Sequence, residues 1–372
     1  MRHLKIVSVV GARPQFVKAA VVSRAIARFN REEKSSRLEE IIVHTGQHYD
    51  ANMSQVFFDR MEIPEPQVNL GVGSGLHGEM TGTMLMKVEE VLLQERPGWV
   101  LVYGDTNSTL AGALAAVKLG IPVAHIEAGL RSYNRRMPEE INRVLTDRMA
   151  SLLFCPTEIA VENLKKEGLS SGVCNVGDVM YDAFLSLREK ALEESTILAG
   201  LGLENRGYCL ATVHRQENTD DPVRLSGIFR AFAELAGPAC AFVVPLHPRT
   251  RKMIGKTDFD ESSNVHVRLI EPVDYFDMIA LEAHSRAVLT DSGGVQKEAF
   301  FAGVPCITLR DETEWLETVA SGWNHLAGAE TDRIVDAFRR IGVKAGKRPR
   351  GLYGDGKAGR MIVAELAAFG RR

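Results

Sequence analysis

The chain has 372 residues, more than a single hydrophobic core usually serves, so two to three domains are expected. A hydrophobic fraction of 45% and a charged fraction of 25% are those of an ordinary globular protein and exclude wholesale disorder, collagen-like repeats and coiled coil. Lys plus Arg number 45 and Asp plus Glu 48, a net charge of −3, which argues against nucleic acid as the main partner.

Met1-Arg2-His3 leads into the apolar run Leu4–Val10, which breaks at Gly11-Ala12-Arg13-Pro14; this reads as a first strand and loop, not a signal peptide. Glu40–His44, Trp99–Tyr103 and Pro122–His125 read as further buried strands, with helical patterns at Phe16–Phe29, Met84–Glu95 and Thr109–Leu119 between them. A second series follows: strands Tyr208–Val213, Cys240–Leu246, Val265–Leu269, Ala287–Thr290 and Pro305–Thr308, and helices Pro222–Glu234, Tyr275–His284 and Val295–Phe301. Alternation of this kind builds parallel sheets covered on both faces. The expected architecture is α/β, with two doubly wound parallel-sheet domains, 1–175 and 176–355, facing across a cleft. A last helix, Gly359–Phe369, is expected to return to the first domain. The long uncharged stretch Asn107–Val117 has 11 residues, too few to span a membrane. Five cysteines, Cys155, Cys174, Cys209, Cys240 and Cys306, lack metal or framework spacing and read as reduced thiols of a cytoplasmic protein.

Ligands of such sheets bind at the carboxyl ends of strands. In this chain every such end carries glycine or polar groups. Asp291-Ser292-Gly293-Gly294 opens a helix, and its glycines and free N–H groups suit either a phosphate or an ordinary N-cap. Glu298, one turn on, is placed to accept ribose hydroxyls. Arg13 and Lys18 flank a helix start, where cations oppose the dipole and an anionic ligand would explain them. Asp105, Glu127 and Glu139-Glu140 lie at strand ends or helix starts, as acid/base groups would, and His214 and His247 follow strands of the second series. Gly73, Gly75 and Gly78 form a G-x-G-x-x-G, but the preceding Pro64–Leu70 is a poor strand, so no dinucleotide cofactor is expected. No metal is expected either: H-E-x-x-H is absent and the ten histidines show no ligand spacing.

Nine segments in this order resemble the non-hydrolysing UDP-N-acetylglucosamine 2-epimerases: GARPQFVK (Gly11–Lys18), TGQH (Thr45–His48), GDTNSTLA (Gly104–Ala111), HIEAGLR (His125–Arg131), PEEINR (Pro138–Arg143), HRQEN (His214–Asn218), LHPR (Leu246–Arg249), DSGGVQKEA (Asp291–Ala299) and YGDGKA (Tyr353–Ala358). The resemblance implies the GT-B fold of nucleotide-sugar glycosyltransferases, a homodimer, no cofactor, and isomerisation of a UDP-amino sugar through elimination and re-addition of UDP. Products of such enzymes feed surface polysaccharides such as O-antigen or capsule. It further implies acid/base and charge-stabilising roles for Asp105, Glu127, Glu139 and His214. Contacts to UDP fall to Arg13, Lys18, His247, Ser292, Gly293, Gly294 and Glu298, with Tyr275 toward the uracil. Gln47 and His48 would border an allosteric site.

Two segments depart from the family pattern. GTRPE reads Gly11-Ala12-Arg13-Pro14-Gln15, and TERPE reads Thr313-Glu314-Trp315-Leu316-Glu317. This version resembles the branch acting on UDP-2,3-diacetamido-2,3-dideoxyglucuronate. There Arg135 and Arg136 would pair with the extra carboxylate, and Trp315 would pack on an acetamido methyl. A glycosyltransferase, a hydrolysing epimerase and a non-catalytic nucleotide-sugar sensor are the rival readings.

Overall fold

The computed structural model describes residues 2–46, 63–344 and 348–369. It divides into two units, Met1–Ala183 with Gly351–Arg372, and Phe184–Arg350. The first unit runs β1 (Arg2–Val10), α1 (Arg13–Glu32), β2 (Ser36–His44), β3 (Val68–Asn69), α2 (His77–Glu95), β4 (Trp99–Tyr103), α3 (Asn107–Lys118), β5 (Val123–Ile126), α4 (Pro138–Met149), β6 (Leu152–Cys155), α5 (Glu158–Lys166) and β7 (Val173–Asn175). Helix α6 (Val179–Glu194) spans the division. The strands lie in the order β3-β2-β1-β4-β5-β6-β7, all parallel, so the direction of winding reverses between β1 and β4. Val7 pairs with Val100 and Val9 with Val102 at that reversal, and these residues are buried with Val43, Val88, Leu92 and Ala113. Runs apolar at consecutive positions are what a strand covered on both faces requires.

The second unit repeats the plan with α7 (Ile197–Gly200), β8 (Tyr208–Thr212), α8 (Gln216–Thr219), α9 (Pro222–Leu235), β9 (Ala241–Pro245), α10 (Pro248–Ile254), β10 (Val267–Ile270), α11 (Tyr275–His284), β11 (Val288–Thr290), α12 (Gly293–Ala302), β12 (Cys306–Thr308), α13 (Leu316–Ala320), β13 (Asn324–Leu326) and α14 (Thr331–Lys344). Its parallel order is β10-β9-β8-β11-β12-β13, with the reversal between β8 and β11. Helix α15 (Ala358–Phe369) packs on α1, where a Cβ on Gly359 would lie 2.8 Å from Val21. Among the described residues no helix is long and apolar enough to cross a membrane.

Strands β6, β7 and β13 were not legible from the sequence. They have three or four residues each, too few for a periodicity to register. The Pro64–Leu70 stretch contributes only the two-residue β3, and Gly73 and Gly75 lie in the loop that precedes α2.

Gly129 follows β5 with φ of +80°, and an added Cβ would stand 2.4 Å from the Ala160 carbonyl oxygen. Both the conformation and the space exclude a side chain. Gly129→Ala is expected to lower stability by more than about 2 kcal/mol in urea unfolding; an unchanged midpoint would contradict this packing.

Candidate active site

In the first unit the site is built on the loops after β1, β4 and β5. Gly11 ends β1 against two hydroxyls, its added Cβ falling 2.0 Å from Ser108 Oγ and 2.4 Å from Thr45 Oγ1. Gln15 then closes the start of α1. Its Oε1 accepts from the Gly11 and Ala12 amides at 2.8 and 3.0 Å, and its Nε2 donates to the Tyr103 carbonyl at 2.6 Å and the Thr106 hydroxyl at 3.0 Å. A carboxylate could not donate those last two bonds, so the position suits an amide. Arg13 stands half-buried at the first position of α1, and the first turn of that helix has no acidic residue.

Lys18 is buried, and its ammonium meets the Glu127 carboxylate in an ion pair that is itself buried. Side chains of a helix lean toward its N-terminus, which carries Lys18 back over the loop ends. Glu127 holds φ of +73°, a left-handed conformation uncommon outside glycine, while its amide and that of Ala128 both donate to the Phe154 carbonyl. Gly104 makes room for this pair: a Cβ there would lie 3.2 Å from Glu127 Oε2 and 3.4 Å from Lys18 Nζ. Asp105, the next residue, is half-exposed and pairs with Arg143 Nη2 at 2.5 Å, and its carbonyl accepts from Asn142 at 2.9 Å.

The two carboxylates at the start of α4 have different tasks. Glu140 is buried and accepts from the Ser132 amide and hydroxyl and the Tyr133 amide at 2.9 to 3.0 Å, with Arg143 at 3.3 Å. Glu139 is half-buried beside it and makes no hydrogen bond or ion pair with the described residues. Glu139 is therefore the member of the pair with a carboxylate to offer a ligand. Arg135 and Arg136 are exposed in the loop before α4. Gln47 and His48 lie outside the described residues.

Below these loops sits a buried network that sequence reasoning missed. Asp147 of α4 accepts from His125 Nδ1 at 2.7 Å, the Gly129 amide at 3.1 Å and Arg131 Nη1 at 2.7 Å. Arg131 also holds Glu167 through two bonds, and His125 Nε2 meets the Gly104 carbonyl at 2.7 Å. Burial pushes the Asp147 carboxyl up, but the His125 and Arg131 partners outweigh it and leave it below the usual carboxylate range. The network joins residues far apart in the sequence, His125 and Arg131 to Asp147 and Arg131 to Glu167, and no local pattern announces it.

In the second unit a single buried aspartate gathers the loop after β8. Asp291 accepts from the His214 and Arg215 amides and Asn218 Nδ2 at 3.0 to 3.1 Å. His214 Nδ1 lies 3.6 Å from Asp291, and its ring centre is 6.0 Å from that of His247. The His214 side chain keeps 40% of its surface open. Desolvation there, with Arg215 and His247 alongside, lowers its pKa from the ordinary 6.5 despite the pull of Asp291. His247 is exposed and caps α10, its Nδ1 accepting from the Arg249 amide at 3.2 Å.

Ser292 caps α12. Gly293 follows because a Cβ would meet Glu314 Oε1 at 2.3 Å, whereas one on Gly294 would find only Ser292 Oγ, at 3.8 Å. The start of α12 therefore stays open at Gly294 for a group to approach the backbone. Glu298 is buried, accepts from the Tyr275 hydroxyl at 2.7 Å, and faces the fully buried Glu282. Burial, and the neighbouring Glu298, raise Glu282 well above the carboxylate range, so it carries the proton of this pair. Trp315 is 3% exposed and its ring lies under the buried Lys297 ammonium at 3.9 Å, which leaves little of the ring for a ligand. Among the described residues no His, Cys, Asp and Glu are grouped as metal ligands, and all five cysteines are free thiols.

Two doubly wound parallel sheets, one with carboxylates at its loop ends and one with a glycine-rich helix start beside a buried carboxylate, define a two-domain α/β protein of GT-B type. Comparison carries this further. The sequence model of the UDP-N-acetylglucosamine 2-epimerase family matches residues 30–367, and the chain belongs to that family. The UDP-2,3-diacetamido-2,3-dideoxy-D-glucuronate 2-epimerase of Pseudomonas aeruginosa is 53% identical over 98% of this chain and 99% of its own. The Methanocaldococcus jannaschii UDP-GlcNAc 2-epimerase, crystallised with UDP-GlcNAc and UDP, superposes with a TM-score of 0.86 at 42% identity, covering 98% of this chain and 99% of the other. The Neisseria meningitidis enzyme bound to UDP-GlcNAc also gives 0.86, at 34% identity over 98% and 100% of the two chains.

Because Lys18 and Glu127 are buried together, Lys18→Met is expected to cost about 3 kcal/mol of stability by leaving an uncompensated carboxylate. Lys18→Met with Glu127→Gln should recover part of that loss. A double variant no more stable than the single one would remove the ion pair from the account.

Proposed function

We propose that the chain interconverts UDP-GlcNAc and UDP-ManNAc by anti elimination and re-addition of UDP. The observation that carries this is the set of carboxylates held at neighbouring loop ends, Asp105, Glu127 and Glu139, within a family of this activity. A base removes the C2 proton while the C1–O bond breaks, leaving 2-acetamidoglucal and UDP. A proton then reaches the opposite face of C2 as UDP adds back to C1. The chemistry asks for an acid/base group on each face of the sugar. Asp105, Glu127, Glu139 and His214 are assigned these and the associated charge-stabilising roles.

The departing diphosphate asks for fixed dipoles and cations. Arg13, His247 and the Ser292-Gly293-Gly294 helix start are assigned to it. Lys18 acts at the same place through the Glu127 it pairs with. Glu298, held by the Tyr275 hydroxyl, is assigned the ribose hydroxyls. Trapping of the intermediate by water is prevented only if the substrate is enclosed during the reaction. Met86 and Leu93 on α2, and Ile141 and Leu145 on α4, are exposed apolar residues at helical spacing, as an interface between two copies would need. A nucleotide sugar is a cytoplasmic metabolite, and the enzyme is assigned there, supplying surface polysaccharide synthesis.

A second substrate is favoured by the 53% identity to the Pseudomonas aeruginosa enzyme and by the exposed Arg135 and Arg136, which suit the C5 carboxylate of a diacetamido-uronate. Purified protein given each UDP-sugar in D2O is expected to place deuterium at C2 without any acceptor. Retention of the C2 hydrogen throughout would refute elimination. If the uronate is the substrate, Arg136→Ala should impair its turnover far more than that of UDP-GlcNAc, and equal losses would refute the pairing.

His214 with a lowered pKa is neutral at pH 7 and becomes charged only below its ordinary 6.5. The acidic limb of kcat/KM is therefore expected below pH 6.5, and His214→Gln should abolish that limb. A limb above 6.5 that survives the substitution would assign it to another group.

A further inference from the structure

His125 lies between two acceptors. Its Nδ1 is 2.7 Å from Asp147 Oδ1 and its Nε2 is 2.7 Å from the Gly104 carbonyl oxygen, with the side chain fully buried. Neither oxygen can donate. The backbone carbonyl has no proton, and Asp147 is bound at its other oxygen by the Gly129 amide and Arg131. A neutral imidazole can donate from one nitrogen only. The other lone pair would then face an oxygen lone pair at 2.7 Å, with no water space to relieve it. Both contacts are hydrogen bonds only if both nitrogens carry protons.

The charged groups around the ring are Asp147 on α4, Glu167 after α5, Arg131, which bridges the two, and Arg148, which also reaches Glu167. Cys155 on β6 is the remaining titratable neighbour of Asp147, its thiol pushed up by burial and so uncharged, and the half-exposed Arg148 reaches only Glu167.

We propose that His125 is a positioning residue, a doubly protonated imidazolium clamped between the Asp147 carboxylate and the Gly104 carbonyl, which fixes the turn that presents Asp105. Gly104 has φ of +62° and donates its own amide to Ile126, so its carbonyl is the group left to define how the turn lies on the sheet. The same Asp147 holds Gly129, two residues beyond Glu127. One charged ring thus sets the loop of Asp105 and, through its partner, that of Glu127. Neither His125 nor Asp147 contacts a group assigned to the sugar other than through these loops. The catalytic consequence rests on the epimerase reading; the protonation state does not.

The test has two arms. In the first, the full-length protein is labelled with 15N-histidine, and the resonance lost in His125→Asn identifies the ring. At pH 7.5 both ring nitrogens are expected to show the protonated shift with directly bound hydrogens. A spectrum with one unprotonated nitrogen overturns the proposal. In the second arm, His125→Asn is expected to lower kcat about 100-fold through misplacement of the loop. UDP affinity, measured by calorimetry, should fall far less than kcat, because most of the residues assigned to UDP, His247 and those on α12, are in the other unit. If the variant does not fold, the wild-type spectrum still decides the charge. An imidazolium combined with unchanged kcat in a folded variant overturns the positioning role. Absence of C2 deuterium exchange in the wild-type enzyme would overturn the functional reading instead, with the ring assignment judged by the spectrum alone.

Discussion

Asp147 accepts three hydrogen bonds and touches no group assigned to the reaction, yet the loops that carry Asp105 and Glu127 both depend on it. Asp291 does the same in the second unit, where it collects the amides of His214 and Arg215 and the side chain of Asn218. A parallel sheet delivers its strand ends to one edge, but leaves the chain beyond each end without ladder partners. Backbone groups buried there must find acceptors elsewhere or suffer the desolvation penalty. A carboxylate with two oxygens meets several of them at once. Each unit therefore spends one buried aspartate on holding its loops, and the reactive side chains stand on what it holds.

The same loops carry strain and close approaches. Glu127 keeps a left-handed backbone that most residues avoid, in contact with Lys18 and beside a glycine that leaves space for both. Conformations of this kind persist only where the surroundings over-determine them, and the double acceptance by the Phe154 carbonyl supplies that here. In the second unit Gly293 gives way to Glu314, whereas Gly294 faces almost nothing from the protein. One glycine serves packing and the next leaves the backbone open to a ligand.

The departures from the family pattern acquire physical meaning from their partners. Gln15 uses its amide as a donor to Tyr103 and Thr106, a bond set that glutamate cannot reproduce. Trp315 lies buried beneath the Lys297 ammonium, so the loss of an arginine at that point coincides with a buried cation supported by an aromatic face. Whether a position keeps a charge is settled by the neighbours three-dimensionally, not by the segment in which it is written.

The sequence by itself determined the two parallel α/β series, about half of the helices, and the strand ends at which polar residues collect, because hydrophobic periodicity and glycine placement are local properties. It also marked Asp105, Glu127, the pair Glu139-Glu140, His214, Asp291 and Glu298 through their place after strands or near helix starts. Only the tertiary structure decided which member of each charged group is committed to the fold. Glu140 is consumed by Ser132 and Tyr133 while Glu139 is left over, Lys18 turns to Glu127, Arg143 turns to Asp105, and Asp291 serves backbone amides. His125 reads in the sequence as the end of a buried strand and in the fold as a ring held between two acceptors. Apart from the Glu140 contacts, which span seven and eight positions, those assignments bring together groups 21 to 109 positions apart, as with Lys18 and Glu127 at a separation of 109. No local pattern encodes such a distance, since it is set by the order in which the strands are wound.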